Sequence, residues 1–243
     1  MTRESAVPGV RTAHLGGRRA GAGVVAAGVL GVLVAGAERI VRSVRPTRAE
    51  AHAPRPGDAV LPHPDVVMDR AFTVPGAPDD VWPWIAQLGK QRGGWYLPVA
   101  LERVLPHRNR ATRSLLAPFT DLAVGDVVPD YGGPHETFTV AALDPPRSLV
   151  YSSRRGRTDV TWSITLEEAG DATRVALRLR LHPVRHRWLA TTVGELFDLL
   201  TIAGMAAGLR ERLSHSAPPV EWSVRRDEPG GPGPDTHDAP PAG

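Results

Sequence analysis

The chain of 243 residues carries 29 Lys and Arg against 26 Asp and Glu, and it contains no cysteine. The lack of cysteine excludes disulfide frameworks, thiolate zinc sites, iron–sulfur clusters and cysteine nucleophiles. The net charge divides into +5 over residues 1–60, +1 over 61–216 and −3 over 217–243, so the middle region does not carry the basic excess that nucleic-acid binding needs. The length indicates one domain with tails.

The first predicted element is an apolar segment near the N terminus. Residues 20–37 are eighteen consecutive apolar or small residues between Arg19 and Glu38, and as a helix they span about 27 Å. After a basic arm of residues 1–19, this segment predicts a single transmembrane anchor and a location in the cell membrane. The flanking arginines weakly favour a cytoplasmic side for the rest of the chain and leave the orientation open.

Two other interpretations of this segment stay open, a cleaved export signal and a disordered arm. Residues 35–37 read Ala-Gly-Ala, the form of a cleavage site, but the arginines that follow from Arg39 oppose translocation. Small residues also recur every fourth position, which predicts a close helix–helix dimer in lipid. These small residues are Gly23, Ala27, Gly31 and Ala35.

The anchor is followed by a Pro- and Arg-rich segment, residues 38–64, which predicts a stiff, extended linker. At the other end, residues 217–243 are rich in Pro and Gly and lack a core-forming pattern, so they predict a disordered tail. The folded domain is therefore predicted over residues 65–216.

Within this domain, hydrophobic periodicity predicts one strand, one or two helices, a run of four strands and a long last helix. The strands are Val66–Val74, Glu136–Leu143, Ser148–Ser153, Val160–Leu166 and Thr173–Leu181; the helices begin at Pro78, at Leu97 (a weaker one) and at Arg187, the last ending at Leu213. In the final strand Arg174, Arg178 and Arg180 alternate with apolar residues, which predicts a solvated outer face.

The last helix carries only two charged residues between Arg187 and Arg210, which are Glu195 and Asp198, so it is predicted to be mostly buried. This order of elements predicts an α+β fold in which a curved antiparallel sheet wraps around the long C-terminal helix. Such a sheet and helix leave space for an apolar pocket between them.

Several segments resemble the SRPBCC superfamily of START-like, helix-grip proteins, and most closely its bacterial polyketide cyclase/dehydrase-like members. The resemblance covers residues 57 to 213. It rests on Trp82-Pro83-Trp84-Ile85, Gln87-Leu88-Gly89, Arg92-Gly93-Gly94-Trp95-Tyr96, Val124-Gly125-Asp126, Phe138-Thr139-Val140 and Thr161-Trp162. The resemblance implies a cavity for a lipid, a polyketide or another small hydrophobic molecule. It does not imply a reaction.

We predict that such a ligand contacts aromatic residues, namely Trp82, Trp95, Tyr96, Phe138, Trp162 and Phe197. An alternative is a cyclase-type enzyme whose acid and base come from Asp130, His135 and Glu195. A third alternative is a membrane scaffold that binds no ligand. The sequence predicts no cofactor and no metal site, because His182 and His186 lack a third ligand and no nucleotide or metal-binding motif occurs.

Overall fold

A computed structural model describes residues 36–133 and 135–215 of the chain. The basic arm, the small-residue pattern and the predicted tail lie outside the described residues, and so does the predicted anchor except for residues 36–37. The described chain begins in a helix that runs to residue 43, and Ile40 and Val41 on this helix are exposed.

Six antiparallel strands form one sheet, in the order β1-β6-β5-β4-β3-β2. The strands are β1 Val66–Pro75, β2 Val127–Pro129, β3 Thr137–Asp144, β4 Ser148–Arg155, β5 Thr158–Ala169 and β6 Ala172–His182. The predicted α+β class with an antiparallel sheet and a long C-terminal helix is confirmed. The short strand β2 was not predicted, since three residues are too few to show a period.

The helices are α1 Arg48–His52, α2 Pro78–Ala86, α3 Val99–Glu102 and α4 Arg187–His215. Helix α2 begins as the sequence predicts, with Pro78 in its first turn and the Asp80 carboxylate accepting a hydrogen bond from the Ala77 N–H. The weaker helix predicted from Leu97 is reduced to the four residues of α3. Helix α4 has one π-helical turn, Ala190–Gly194, before its regular part Glu195–His215.

The inner face of the sheet, defined as the face that contacts α4, forms the core. Strand alternation places Phe72, Leu177 and Ile164 on this face in adjacent strands, where they are almost fully buried. From α4, Met205 and Leu209 belong to the same buried cluster. The C-terminal half of α4 is therefore a core helix of the domain.

The outer face of the sheet is covered by residues 44–62, which we call the N-terminal strap. Val44 is fully buried, and its carbonyl accepts a hydrogen bond from the Ala71 N–H at the free edge of β1. Arg55 is also buried and donates to Thr165 Oγ1 at 2.7 Å. At Gly57 a Cβ would approach Val150 Cγ1 to 2.8 Å, so only glycine allows the strap this close to the sheet. The expected extended linker is thus packed onto the domain over these residues.

The predicted solvated arginine face on β6 is wrong, because the strap neutralises these arginines. Arg174 donates to both carboxylate oxygens of Glu50, at 2.6 and 3.0 Å, and these hydrogen bonds lower the pKa of Glu50 to about 2. Arg178 is paired with Asp69 and Asp58 at 2.7 and 3.0 Å. The period of two correctly separates the faces of β6, but it cannot show that a distant segment carrying Glu50 and Asp58 covers the polar face.

The prediction that α4 is mostly buried holds only for its C-terminal half. Ile202 and Met205 are buried, whereas Trp188 is 68% exposed and Phe197 is 71% exposed. The first turn of α4 lies beside the start of β1, where Arg187 donates to the Asp65 carbonyl at 2.9 Å, but its apolar side chains are exposed. By length and composition alone, α4 is the one helix of the described residues that could cross a membrane, a property it shares with core helices of soluble proteins.

Candidate functional site

Five aromatic rings from β3, β4, β5 and two loops meet beside α4, and we call them the aromatic cluster. Trp162 is central: its ring stacks on Tyr151 with centroids 6.0 Å apart and on Trp95 at 6.1 Å. Phe138 lies 5.5 Å from Tyr151, and Tyr131 meets the edge of Trp95 at 6.2 Å. Exposure rises from 3% at Tyr151 to 53% at Tyr131, so the cluster leads from the core to the surface.

The hydroxyl of Tyr151 is the polar feature of this cluster. Its oxygen is buried and has no hydrogen-bond partner among the described residues. Burial raises the pKa of Tyr151 to about 12, so the group is a neutral hydroxyl. A buried hydroxyl without a partner loses the hydrogen bonds that water would give, at a cost of about 1 to 3 kcal/mol. A bound molecule with one polar atom would remove that cost.

Trp95 is placed by a tight loop between α2 and α3. Its indole N–H donates to the Thr201 carbonyl of α4 at 3.3 Å. The next residue, Tyr96, is fully buried and donates to the Trp84 carbonyl at 2.8 Å, which fixes the loop. On α4, a Cβ at Gly208 would come within 2.5 Å of the Leu97 nitrogen, so glycine is required for the loop to lie against the helix. Trp95 is thereby held between α4 and Trp162.

The rim of the cluster carries the candidate acid Asp130. One oxygen of Asp130 accepts from the Tyr131 N–H at 2.7 Å, and the other is ion-paired with Arg155. The Arg155 guanidinium lies 5.1 Å from the centre of the Phe138 ring, so this ion pair closes one side of the cluster. His135 is exposed in the same loop and makes no hydrogen bond with the described residues. Both oxygens of Asp130 are therefore already engaged by donors.

The candidate acid Glu195 belongs to a second cluster, between β1 and the first regular turn of α4. Arg70 is buried on the inner face of β1 and pairs with Glu195 at 2.6 Å and with Asp198 at 2.9 Å. Arg70 and Glu195 also line an open groove of about 520 Å³, together with apolar residues that include Val41 and Leu196. Burial raises the pKa of Asp198 to about 6, and the charge of Glu195 adds to this effect while Arg70 opposes it.

The raised pKa of Asp198 predicts how stability depends on pH. The folded state holds a proton on Asp198 up to about pH 6, whereas an unfolded aspartate releases it near pH 3.9, so the free energy of unfolding should fall between pH 4.5 and 7. The expected decrease is about 2 kcal/mol. Urea unfolding across this range should show it for the natural chain and for the exposed control Asp121→Asn, but not for Asp198→Asn. An unchanged slope in Asp198→Asn would contradict this assignment.

The structure brings three of the six predicted ligand residues together, namely Trp95, Phe138 and Trp162. The other three lie elsewhere: Tyr96 is in the core, Trp82 packs on the outside of the core, and Phe197 points away from it on α4. Three residues that were not among the predicted site residues also belong to these clusters. These are Tyr131 and Tyr151 in the aromatic cluster and Arg70 beside Glu195.

The three acid and base candidates are not assembled into one site. Asp130 and His135 lie in the loop between β2 and β3, while Glu195 is bound by Arg70 on the far side of α4. Within residues 36–133 and 135–215, no three His, Asp or Glu side chains are placed to hold a metal ion. Asp130 and Glu195 therefore belong to two separate clusters of the described residues.

Comparisons with known proteins found distant similarities to solved structures. No protein-family model matches it, and no curated protein does. The crystal structure of CalU16 from Micromonospora echinospora is 17% identical with a TM-score of 0.36, over 61% of this chain and 81% of CalU16.

Two further solved structures are similar at the same level. DynU16, a protein of the dynemicin biosynthetic locus, is 15% identical with a TM-score of 0.41, over 63% of this chain and 48% of DynU16. The Aha1 dimer from Colwellia psychrerythraea is 13% identical with a TM-score of 0.35, over 60% of this chain and 98% of that one. At these identities and TM-scores, the similarities establish neither a family nor an activity for this chain.

Proposed function

We propose that the chain is a START-like domain of the SRPBCC type that binds or carries a small hydrophobic ligand and is tethered to a membrane by residues 20–37. The observation that carries the binding proposal is the aromatic cluster with the unpartnered hydroxyl of Tyr151 at its buried end. Aromatic side chains with a small number of polar groups among them are typical of sites for small apolar molecules.

The geometry of the cluster also limits the ligand chemistry. Trp95 and Trp162 are only partly buried, so the exposed parts of these two side chains are available to a planar or extended apolar group. Each ring contact of this kind contributes about 0.5 to 1.5 kcal/mol beyond area burial. At the buried end, Tyr151 would hydrogen-bond one hydroxyl or carbonyl of the ligand. The ligand class is therefore an apolar molecule with at least one polar oxygen.

Native mass spectrometry of the full chain, extracted in a neutral detergent, tests this proposal. We expect the chain to carry a non-covalently bound molecule of a few hundred daltons that organic solvent releases. If no such molecule co-purifies, we expect the chain to bind added 2-naphthol, which serves as a neutral probe. A chain that holds no added mass and takes up no probe would contradict binding, and it would favour the scaffold alternative. Resistance of the chain to alkaline extraction from membranes tests the tether separately.

The tether is supported by the helix that follows the predicted anchor. The exposed helix that ends at residue 43 follows the apolar segment directly, and Val41 shares a groove with Leu196 and Leu199 of α4. Exposed apolar residues of α4 therefore lie close to the helix that follows the predicted anchor. An anchored domain could keep this surface against lipid, where exposed tryptophan and phenylalanine side chains are favoured.

Proton-transfer catalysis is the second candidate function, and one observation favours it. Asp198 has its pKa raised to about 6 by burial, and its partner Arg70 opens onto the 520 Å³ groove. A carboxyl with such a pKa can act as an acid or a base near neutral pH. If this candidate is correct, a ligand added to the natural chain should be recovered with an altered mass. The same ligand should be recovered unchanged from Asp198→Asn.

A further inference from the structure

A second depression, separate from the aromatic cluster, lies among the loops that surround α3, and it is basic. Its volume is about 450 Å³. The charged lining consists of Arg92, Arg103, Arg110 and Arg113 with a single carboxylate, Glu102, and His107 completes the polar wall. Four guanidinium groups against one carboxylate give the lining a net charge of +3, although residues 61–216 as a whole carry only +1.

The one acidic group in this depression is already paired with two arginines, and one of them, Arg113, also lines the depression. Glu102 Oε1 accepts from the buried Arg212 at 2.7 Å, and Oε2 accepts from Arg113 at 2.9 Å. Burial would raise the pKa of Glu102, but these two arginines outweigh it and hold the pKa below its usual value. The carboxylate therefore stays charged and satisfied, and it does not compete for the other three arginines.

Two of those arginines are held in place by backbone carbonyls, which cannot neutralise their charge. Arg110 donates to the carbonyls of Leu105 and Arg103 at 3.0 and 3.1 Å, and its Nη1 makes no hydrogen bond to the described residues. Arg92 donates to the Phe119 carbonyl at 2.6 Å, while its Nε is buried and has no hydrogen-bond partner in the described part of the chain. Fixed guanidinium groups with free N–H donors are suited to oxyanions.

We infer that this depression binds a multiply charged oxyanion of the phosphate-ester class, with Arg103, Arg110 and Arg92 as its principal donors. A phosphate monoester carries close to two negative charges at neutral pH and three acceptor oxygens, which matches a lining of +3 with unused donors. The phosphate could belong to a soluble metabolite or to a lipid headgroup. The inference is independent of ligand binding at the aromatic cluster.

Titration of the full chain in neutral detergent with pyrophosphate, at constant ionic strength, tests the inference. We expect saturable binding by calorimetry, weakened at least tenfold in Arg103→Ala and in Arg110→Ala. The matched control is Arg157→Ala, because Arg157 is exposed in the turn after β4 and lies outside the depression. Arg103 and Arg110 are exposed as well, and near-ultraviolet circular dichroism checks that the variants keep the native fold.

Two further probes distinguish a lipid headgroup from a soluble metabolite as the source of the phosphate. They are dihexanoyl phosphatidic acid and dihexanoylglycerol, both used below their critical micelle concentrations. Binding of phosphatidic acid with the same dependence on Arg103, but not of the uncharged glyceride, supports a lipid headgroup. Binding of pyrophosphate alone supports a soluble phosphate ester. Absence of binding to either phosphate, or an equal loss in Arg157→Ala, would overturn the inference.

Discussion

Replacing Arg178 with alanine is expected to lower the free energy of unfolding by about 3 kcal/mol or more. The Arg178 side chain is only 7% exposed, and it donates to Asp69 at 2.7 Å and to Asp58 at 3.0 Å. It also donates to the carbonyls of Ala51 and Ala53, at 2.7 and 3.0 Å. Its removal leaves Asp69 without its charged partner and deletes three hydrogen bonds between the sheet and the strap, those to Asp58, Ala51 and Ala53. Urea unfolding followed by circular dichroism measures the loss.

Hydrogen exchange distinguishes this mechanism from a general loss of packing. In Arg178→Ala, amides of residues 44–62 should exchange faster than those of β5, because the strap is released first. Arg157→Ala removes an exposed arginine and should change stability by less than about 0.5 kcal/mol. A strap that exchanges as slowly in Arg178→Ala as in the natural chain would show that the ion pairs do not hold it.

Replacing Trp162 with alanine is expected to weaken the binding of 2-naphthol at least tenfold, or about 1.4 kcal/mol. Trp162 contacts three other rings of the aromatic cluster, so its removal deletes the central stacking surface. Native mass spectrometry of the full chain measures the fraction that carries the probe. The fraction should fall in Trp162→Ala and recover in part in Trp162→Phe, which restores a smaller ring.

The control for this prediction is Trp188→Ala. Trp188 is 68% exposed at the start of α4, outside the aromatic cluster. Its removal should leave probe binding unchanged. Equal losses in both variants would mean that the probe binds to exposed tryptophan in general, and the aromatic cluster would lose its proposed role.

Most of the fold follows from local patterns in the sequence. Strands β5 and β6 alternate apolar and polar residues, and Pro78 with the acidic residues after it marks the start of α2. Each of these signals lies within a few residues, and the predicted bounds are therefore close to those observed. The strap has no such signal. Its ion pairs join Glu50 and Asp58 to arginines more than a hundred positions away.

The burial of α4 shows a second limit of pattern analysis. Apolar residues surround this helix almost completely, so periodicity does not reveal which side meets the sheet. In the structure, the face of α4 with Asp198, Ile202 and Met205 packs against the sheet, and Phe197 is exposed on another face. The charged pair Arg70–Asp198 marks the buried face, but only after β1 and α4 are known to be neighbours.

The aromatic cluster was predicted only in part, since three of its five residues were among the predicted ligand residues. Trp95, Phe138 and Trp162 stand out because they are the aromatic residues of segments that carry the family resemblance. Tyr151 was accessible in principle, since Leu149 and Tyr151 are two positions apart on β4 and therefore share one face of the sheet. That its hydroxyl lacks a partner depends on every neighbouring side chain, and this cannot be read from the strand itself.

Fluorine NMR of the full chain labelled with 5-fluorotryptophan tests the central claim most directly. The chain has six tryptophans, and single Trp→Phe variants assign their resonances. On addition of 2-naphthol, the resonances of Trp95 and Trp162 should shift in a saturable manner, while that of Trp188 stays in place. If Trp95 and Trp162 do not respond, or if Trp188 shifts as much as they do, the aromatic cluster is not the ligand site.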